Sequence, residues 1–470
     1  MPRPLRERRW PWLVAAGAIA VAFVSTFVEI RAPGDWDRRP LGSVEDIAQL
    51  RHRSDLNLLF ILIDTLRADR LGSYGYERAT SPALDRLASS GVRFARHLAQ
   101  SSWTKASMAS LWTALYPPRS GITRYDHVLP EAARMPAEIL RDAGFQTVGL
   151  YRNGWVAPTF GFGQGFEVYK RPAPKPLPPD VRVENPTLSK RGTDENAVEA
   201  AVEFLRVGAR GRWFLYLHLM DIHEYLYDEE SALFGSSYSD IYDNSIRWTD
   251  GVIETLLAFL SELGHLENTL IVIASDHGEA FLERGHEGHA RVVYRESTEV
   301  PFLLSLPFRL EPGIVVGERT RNVDVWPTVL DLLGLELPEE TDGRSLLPDI
   351  LARGRGEAPA RAGETAIAHL DQTWGRRGFD PLPTVAVAEG AFRYVRLQGT
   401  GGVTVEQLFD ASDDPDELRD RAADDPETLA RLGAIADTHI AAEPPWGDAP
   451  TRELDELELN LLRALGYAIP

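Results

Sequence analysis

The sequence of 470 residues is 44% hydrophobic and 26% charged, a globular composition for two or three domains that excludes disordered, collagen-like and coiled-coil chains. Its 70 acidic and 50 basic side chains give a formal net charge of −20, so nucleic acid is not an expected partner. Because the chain has no cysteine, it forms no disulfide, zinc ribbon or thiolate nucleophile, and any metal ion must be bound by oxygen and histidine.

The N-terminus has the pattern of a membrane anchor. Four arginines within the first nine residues precede the uncharged apolar stretch from Trp10 to Val28, which is long enough to span a bilayer. Arginines before a span favour the cytoplasmic side, which places the chain beyond Glu29 outside the cytoplasm. We therefore expect a basic tail and a single transmembrane helix over residues 1–31, with a cleaved signal peptide as the alternative.

Residues 32–55, which include Pro33 and Pro40, predict a linker with a short helix. The apolar run from Leu58 to Ile63 then predicts a strand, and helical and strand patterns alternate from there. The predicted helix and strand pairs are Met135–Ala143 with Thr147–Tyr151, Asn196–Val207 with Trp213–Leu219, and Ile246–Leu263 with Thr269–Ala274. Nearly unbroken apolar strands indicate an α/β fold with a mostly parallel central sheet and helices on both faces.

Two later segments depart from this alternation. Six prolines between Arg171 and Pro186 exclude a helix or a central strand and predict a surface excursion. Beyond Leu347 the pattern weakens, and strands over Thr384–Val387 and Phe392–Leu397 predict a small C-terminal α+β subdomain. The acidic run from Asp410 to Asp425 predicts a solvated turn and a helix start.

Polar residues follow three of the predicted strands at the point where each strand ends. In an open α/β sheet, ligands bind beyond the carboxyl ends of the strands, so these side chains are candidates for a shared site. Carboxylates and imidazoles together suit Mn²⁺, Zn²⁺, Mg²⁺ or Ca²⁺. The residues are Asp64 after the first run, Asp221 and His223 after the second, and Asp276 and His277 after the third, with His286 and His289 further on.

A run of hydroxyl residues, SSWTKASMASLWT from Ser101 to Thr113, lies where a loop is expected to meet a helix. Exposed backbone N–H groups at a helix start attract an anionic ester, so a hydroxyl there is a candidate nucleophile. The alternative is an ordinary N-cap of a buried helix.

Six segments in this order resemble the sulfatase branch of the alkaline phosphatase superfamily, from about Asn57 to Glu417. The segments are LFILIDTLRADRLGSYGY, SSWTKASMASLWTALYP, FLYLHLMDIHEYLY, SDHGEAFLERGHEGHARVVYRESTEVPFLL, VDVWPTVLDLLGLELPEETDGRSLLP and FRYVRLQGTGGVTVEQLFDASDDPDE. The resemblance implies a catalytic domain over residues 56–350, a C-terminal sheet subdomain over 351–440 and a tail with a helix over 441–470.

The resemblance also implies roles for individual residues. Metal ligands are implied at Asp64, Asp276 and His277, with Thr104 as the nucleophile that also contacts the metal, and His223 and His289 as contacts to the transferred group or ligands of a second ion. Lys105 has no firm counterpart; it either steadies an oxyanion or is simply solvated.

The sequence departs from sulfatases at two positions. Sulfatases convert a cysteine or serine to formylglycine within a motif whose fifth residue is arginine, whereas this chain has Thr104 and, in the fifth place, Met108. A threonine cannot become formylglycine, which closes the aldehyde route to sulfate ester cleavage. Thr65 replaces a second metal-binding aspartate, and one charge fewer favours a single Mn²⁺ or Zn²⁺ over Ca²⁺.

We therefore expect a metal-dependent enzyme that cleaves phosphate esters by attack of a metal-activated threonine, as a phosphodiester hydrolase or a phosphoryl transferase. Sulfate ester hydrolysis without formylglycine and a non-catalytic sulfatase-like binding protein are the two alternatives. The expected partner is an anionic ester on a glycan or a lipid, at the outer face of the membrane.

Overall fold

The computed structural model describes residues 36–172, 192–359, 363–376, 378–399 and 403–463. The chain divides into residues 1–38 and a larger compact unit over residues 39–470. The predicted membrane helix and most of the proline-rich excursion lie outside the described residues. Across the part of the chain that is described, no helix is both long enough and apolar enough to cross a bilayer.

An eight-stranded sheet with the order β10-β2-β9-β6-β1-β5-β3-β4 forms the centre of the unit. Its strands are β1 (Asn57–Ile63), β2 (Val92–Leu98), β3 (Gln146–Leu150), β4 (Val168–Lys170), β5 (Trp213–Leu219), β6 (Thr269–Ala274), β9 (Phe302–Ser305) and β10 (Ile314–Arg321). Only β9 runs antiparallel to its neighbours β2 and β6. The expected mostly parallel α/β fold is therefore confirmed.

The central strands are apolar because both of their faces are covered. Every residue of β1 and of its neighbours β5 and β6 is buried. On one face, the Phe60 ring of β1 stacks on Trp326 at 5.1 Å and on Trp112 at 6.2 Å, both from helices. This packing fixes the position of β1 and therefore that of Asp64, which follows the strand.

Helices surround the sheet, and a short hairpin of β7 (Ala280–Phe281) and β8 (Glu287–Gly288) follows β6. The helices are α1 (Val44–Gln49), α2 (Pro82–Ser90), α3 (Thr104–Thr113), α4 (Pro117–Ser120), α5 (Pro136–Asp142), α6 (Asp194–Glu203), α7 (Tyr238–Glu262), α8 (Arg295–Thr298), α9 (Val325–Leu332), α10 (Leu347–Gly354), α11 (Pro426–Ile440) and α12 (Glu456–Arg463).

A four-stranded antiparallel sheet with the order β11-β12-β13-β14 forms the C-terminal part. Its strands are β11 (Ala366–Asp371), β12 (Pro383–Glu389), β13 (Phe392–Gln398) and β14 (Thr404–Asp410). One face packs against α11 through residues such as Val387 and Leu432, and the other joins the main core through Ala368 and Val395. The acidic segment before α11 ends at the cap residue Asp425, which accepts from Thr428 N.

The short helix expected within residues 32–55 is α1, and from Arg39 onward this stretch packs against the large unit. Ile47 and Leu50 are buried in the main core, and Arg39 donates to Ser305 Oγ and to Leu306 O. This segment therefore belongs to the folded unit. Strands β2, β9 and β10 were also not anticipated. Charged residues such as Arg93 and Glu318 interrupt the apolar pattern of β2 and β10, and β9 has only four residues.

Two histidines at the C-terminal sheet predict a stability that depends on pH. The ring of His369 in β11 lies 5.3 Å from that of His439 in α11. His369 Nδ1 and His439 Nε2 are buried and form no hydrogen bond with the described residues. Burial lowers the pKa of His369 to about 4, although Asp371 opposes it. Burial, together with the charge of His369, lowers the pKa of His439 well below its ordinary value.

Since the folded-state pKa of His369 lies below the unfolded value of about 6.5, the folded state loses stability as the pH falls below that value. Replacing His369 by Phe should reduce the drop in unfolding free energy between about pH 7 and pH 4.5 by about 2.5 kcal/mol. Denaturant titrations at the two pH values measure this. The exposed His52 provides the matched control, and an equal effect of His52→Phe would contradict the prediction.

Candidate metal centre and active site

The carboxyl ends of four neighbouring strands bring the candidate side chains together. Asp64 follows β1 directly, Asp276 and His277 follow β6, and His223 follows β5. Asn153 follows β3, which pairs with the far side of β5. Because β6, β1, β5 and β3 are adjacent and parallel, their polar successors meet at one edge of the sheet.

Two buried carboxylates each present one oxygen to a common point. Asp64 Oδ2 accepts from Asn153 Nδ2 at 2.7 Å and from His218 Nε2 at 3.0 Å. Asp276 Oδ1 accepts from the backbone N–H groups of Thr65 and His277. Among the described residues, no donor reaches the other two oxygens, Asp64 Oδ1 and Asp276 Oδ2, although both are buried.

His277 presents a ring nitrogen to the same point. Its Nδ1 donates to Gly278 O at 3.0 Å, which leaves the Nε2 lone pair available. Nε2 lies 3.3 Å from Asp276 Oδ2 and 3.8 Å from Asp64 Oδ1. Lone pairs of two carboxylates and an imidazole thus face one another in a buried site, an arrangement that a cation stabilises.

The three side chains fit a divalent metal ion. One ligand atom from each of Asp64, Asp276 and His277 lies within 4.8 Å of the others. His218 also has the geometry of a residue that supports a ligand, because Tyr216 OH donates to its Nδ1 and fixes Nε2 as the donor to Asp64. His223 and His289 belong to no such cluster among the residues that are described, so no second ion site of this kind is evident there.

Thr104 is the first residue of α3, and its hydroxyl lies beside the cluster. Thr104 Oγ1 is 3.1 Å from His277 Nε2 and 3.4 Å from Asn153 Nδ2. The side chain is fully buried, and the N-cap residue Trp103 makes no side-chain hydrogen bond to the helix start. The hydroxyl therefore lies at the positive end of a helix and against the candidate ligands.

The pKa values of the two carboxylates shift in opposite directions. Burial by itself raises the pKa of Asp64, but the hydrogen bond from His218 and the nearby imidazole charges outweigh it and hold that pKa below its ordinary range. Burial and the negative charge of Asp64 raise the pKa of Asp276. Negative charge on both carboxylates at once is therefore unfavourable unless a cation compensates it.

His223 and His289 complete a row of imidazoles that leads outward from His277. The ring of His289 lies 4.5 Å from that of His277 and 5.0 Å from that of His223. His289 Nδ1 is 3.2 Å from Glu279 Oε2. Burial lowers the pKa of His289, but the charge of Glu279 and its hydrogen bond raise it above the ordinary value, whereas burial lowers the pKa of His223 to about 4.

Lys105 is buried rather than solvated. Its ammonium donates to Tyr125 O at 2.6 Å and lies 3.7 Å from the ring centre of Phe160 and 5.4 Å from that of Trp155. Burial lowers its pKa well below the ordinary value. These contacts join the start of α3 to the turn that carries Asn153, and none of them reaches the metal cluster.

The structure corrects one expectation and adds residues that the sequence did not reveal. Asp221 does not join the cluster, because it pairs with Arg152 and accepts from Asp194 N and Trp248 Nε1. Asn153 and the supporting role of His218 were missed. The only sequence signal for either is position, Asn153 just after an apolar strand and His218 within one.

Thr65 holds Asp64 in place through an unusual backbone conformation. Its φ of 61° is left-handed, which is rare for a β-branched residue. Its hydroxyl donates to Asp64 O, and its carbonyl accepts from Tyr242 OH. These bonds support the strained turn through which the chain leaves β1.

Comparison with known proteins identifies the family. The sequence profile of the sulfatases matches residues 56–335. The chain belongs to the sulfatase family. This sulfatase-family hydrolase is 27% identical to the steryl-sulfatase of Mus musculus, over 83% of each chain, and 25% identical to the N-acetylgalactosamine-6-sulfatase of Homo sapiens, over 83% of this chain and 86% of that one. Members typically use a divalent metal ion, in agreement with the cluster of Asp64, Asp276 and His277.

The fold agrees with solved structures of hydrolases. The phosphonate monoester hydrolase of Agrobacterium radiobacter superimposes with a TM-score of 0.65 at 18% identity, over 85% of this chain and all of that one. At this identity the likeness shows the fold alone.

Proposed function

We propose that this sulfatase-family enzyme cleaves phosphate esters, phosphodiesters above all, with Thr104 as the nucleophile. The observation that carries the proposal is the position of Thr104 Oγ1, 3.1 Å from His277 Nε2 and beside the facing oxygens of Asp64 and Asp276. An ester bound to the metal ion would react at the point where the candidate ligands converge, and the Thr104 hydroxyl lies at that point.

Asp64, Asp276 and His277 would hold the ion, with Thr104 as a further contact. When bound, a divalent cation lowers the pKa of the hydroxyl and neutralises charge on the reacting ester. Two carboxylates, one imidazole and one hydroxyl suit Mn²⁺ or Zn²⁺ better than Ca²⁺, which takes six to eight oxygen ligands.

The chain's own residues would perform the remaining steps. Asn153 orients the hydroxyl through Nδ2, and burial of the site excludes water from the attack. The Thr104 hydroxyl loses its proton to bulk water, and the bond from Thr104 Oγ1 to phosphorus forms as the bond to the leaving oxygen breaks. His289, held by Glu279, gives a proton to that oxygen, while His223, with a pKa of about 4, is uncharged near neutral pH and contacts the transferred group. In a hydrolase, water then attacks phosphorus and releases a phosphate monoester, with a proton returned to Thr104 Oγ1. In a transferase, a sugar or lipid hydroxyl attacks instead and becomes the new ester oxygen.

The chemistry of threonine favours phosphorus over sulfur. A sulfated formylglycine hydrate releases sulfate as its aldehyde re-forms, and a sulfated threonine has no such route. A phosphorylated threonine is released by in-line attack of water, in which positioning and charge neutralisation supply most of the catalysis. Sulfate ester hydrolysis without formylglycine is the second candidate, and the observation in its favour is that the sequence relatives described above are sulfatases.

Location and domain roles are part of the proposal. Residues 56–350 would perform catalysis and residues 351–440 would form the accessory sheet subdomain. The proposed site of action is the outer face of a membrane, on an ester carried by a glycan or a lipid. The arginines and the apolar stretch within residues 3–28 are the support for that location.

A screen of ester classes tests the proposal. The full-length protein, loaded in turn with Mn²⁺, Zn²⁺, Ca²⁺ or Mg²⁺, is assayed on bis(para-nitrophenyl) phosphate, para-nitrophenyl phosphate and para-nitrophenyl sulfate. We expect kcat/KM for the diester to exceed that for the sulfate at least about tenfold with Mn²⁺ or Zn²⁺. Faster cleavage of the sulfate would support the second candidate instead, and turnover of none of the three would overturn both.

A further inference from the structure

Arg291 is an exposed cation two residues after His289, and no residue that the structure describes neutralises it. Exposure to solvent rises from the nucleophile towards Arg291. Thr104 and His277 are fully buried, the side chain of His289 is 11% exposed, and Arg291 is exposed. The Arg291 side chain forms no hydrogen bond, ion pair or ring contact with the residues that the structure describes. Its guanidinium is therefore available to a ligand.

Neighbouring arginines on the same segment are neutralised, which sets Arg291 apart. Arg284 pairs with Glu296 and Glu417. Arg295 pairs with Glu299 at 2.6 Å and with Asp416 at 3.1 Å. In a chain with a net charge of −20, carboxylates are abundant, yet none of those described reaches Arg291.

The backbone around Arg291 is fixed relative to the nucleophile. Ala290 N donates to Ser102 O at 2.8 Å, two residues before Thr104, and Ala290 has a left-handed φ of 57°. The next carbonyl, Arg291 O, accepts from Gln372 Nε2, which belongs to the loop after β11. The main chain that carries the guanidinium is thus attached on one side to the nucleophile segment and on the other to the C-terminal sheet.

We propose that Arg291 binds a second anionic group of the substrate, a phosphate, sulfate or carboxylate carried by the part of the ester that leaves. A guanidinium offers paired donors that match the oxygens of all three groups. A positive charge on the segment next to the nucleophile also counters the repulsion that the net charge exerts on an approaching anion. This inference rests on the proposed function, since it concerns the substrate of the same site.

Matched pairs of compounds test the inference. The first pair consists of aryl phosphodiesters that differ only in an anionic substituent, carboxylate, sulfonate or phosphate, on the leaving ring. The second pair consists of non-hydrolysable phosphonate analogues with and without that substituent, whose affinity for the metal-loaded full-length protein is measured by calorimetry. Wild type should prefer the anionic member of each pair, and Arg291→Gln should lose about tenfold to 100-fold of that preference.

Arg291→Lys should keep part of the preference, and added salt should weaken it in wild type because the group is exposed. Arg210→Gln is the matched control, since Arg210 is an exposed arginine before β5, at the opposite edge of the sheet. Equal preferences in Arg291→Gln and wild type would overturn the inference. If the diester without the anionic substituent failed to react, that result would instead count against the proposed function. Calorimetry with the phosphonate pair would still decide whether Arg291 selects the anionic substituent.

Discussion

Replacement of Thr104 by Ala is expected to reduce kcat on an aryl phosphodiester by about 10⁴-fold or more, because it removes the oxygen that forms the bond to phosphorus. Thr104→Ser keeps a hydroxyl at the start of α3 and should retain activity within about tenfold of wild type. The loss should appear in kcat rather than in KM, since the surrounding residues that bind the ester remain. Steady-state kinetics of the three proteins with the preferred metal measure this.

A covalent product separates a nucleophile from a residue that only contacts the ester. Rapid quenching of the wild type during turnover, followed by mass spectrometry, should locate a phosphoryl group on the peptide that contains Thr104. Thr113→Ala is the control, because Thr113 is a threonine at the other end of the same helix, where its hydroxyl donates to Ala109 O. Undiminished turnover in Thr104→Ala would remove the nucleophile assignment.

The sequence could indicate the site because its main residues come directly after apolar strands. Asp64, Asp276 and His277 follow strands that are buried on both faces, and the adjacency of such strands is enough to bring their ends together. The strand bounds of β5 and β6 agree with the predicted ones for the same reason. The resemblance to the sulfatases then selected Thr104 among several hydroxyl residues.

What the sequence could not show depends on contacts between distant segments. Asp221 follows β5 by two residues, much as Asp64 follows β1 by one, but Arg152 from the loop after β3 binds Asp221 and keeps it out of the site. Lys105 is next to Thr104 in the chain, yet helical geometry directs its ammonium to Tyr125 O. No sequence pattern indicates the role of Asn153, because that role depends on its contacts with Asp64 after β1 and Thr104 in α3.

Asp276 should control whether metal stabilises the protein. Without metal, Asp276 Oδ2 faces both His277 Nε2 and the carboxylate of Asp64. In Asp276→Asn, the amide oxygen can still accept from Thr65 N and His277 N, while the amide nitrogen can donate to His277 Nε2. The metal-free variant should therefore have a higher Tm than the metal-free wild type, because a repulsion has been replaced by a hydrogen bond.

Addition of metal should reverse that order. At a concentration of about 100 times Kd, the ion adds about 2.7 kcal/mol of stability to the wild type and almost none to Asp276→Asn, which has lost one anionic ligand. Turnover should fall in parallel by about 10²- to 10³-fold, as expected when one electrostatic stabiliser is removed. Differential scanning calorimetry with and without Mn²⁺ or Zn²⁺, together with metal analysis of the dialysed proteins, measures these effects.

Asp250 provides the control for a buried carboxylate outside the site. It accepts from Ala83 N and Leu84 N at the start of α2, and burial raises its pKa to about 7. Asp250→Asn should change the Tm with and without metal by the same amount, because its effect is on the helix rather than on the ion. If Asp276→Asn retained the full metal-dependent rise in Tm, the ion would bind elsewhere. The facing oxygens of Asp64 and Asp276 would then need another explanation, such as a shared proton.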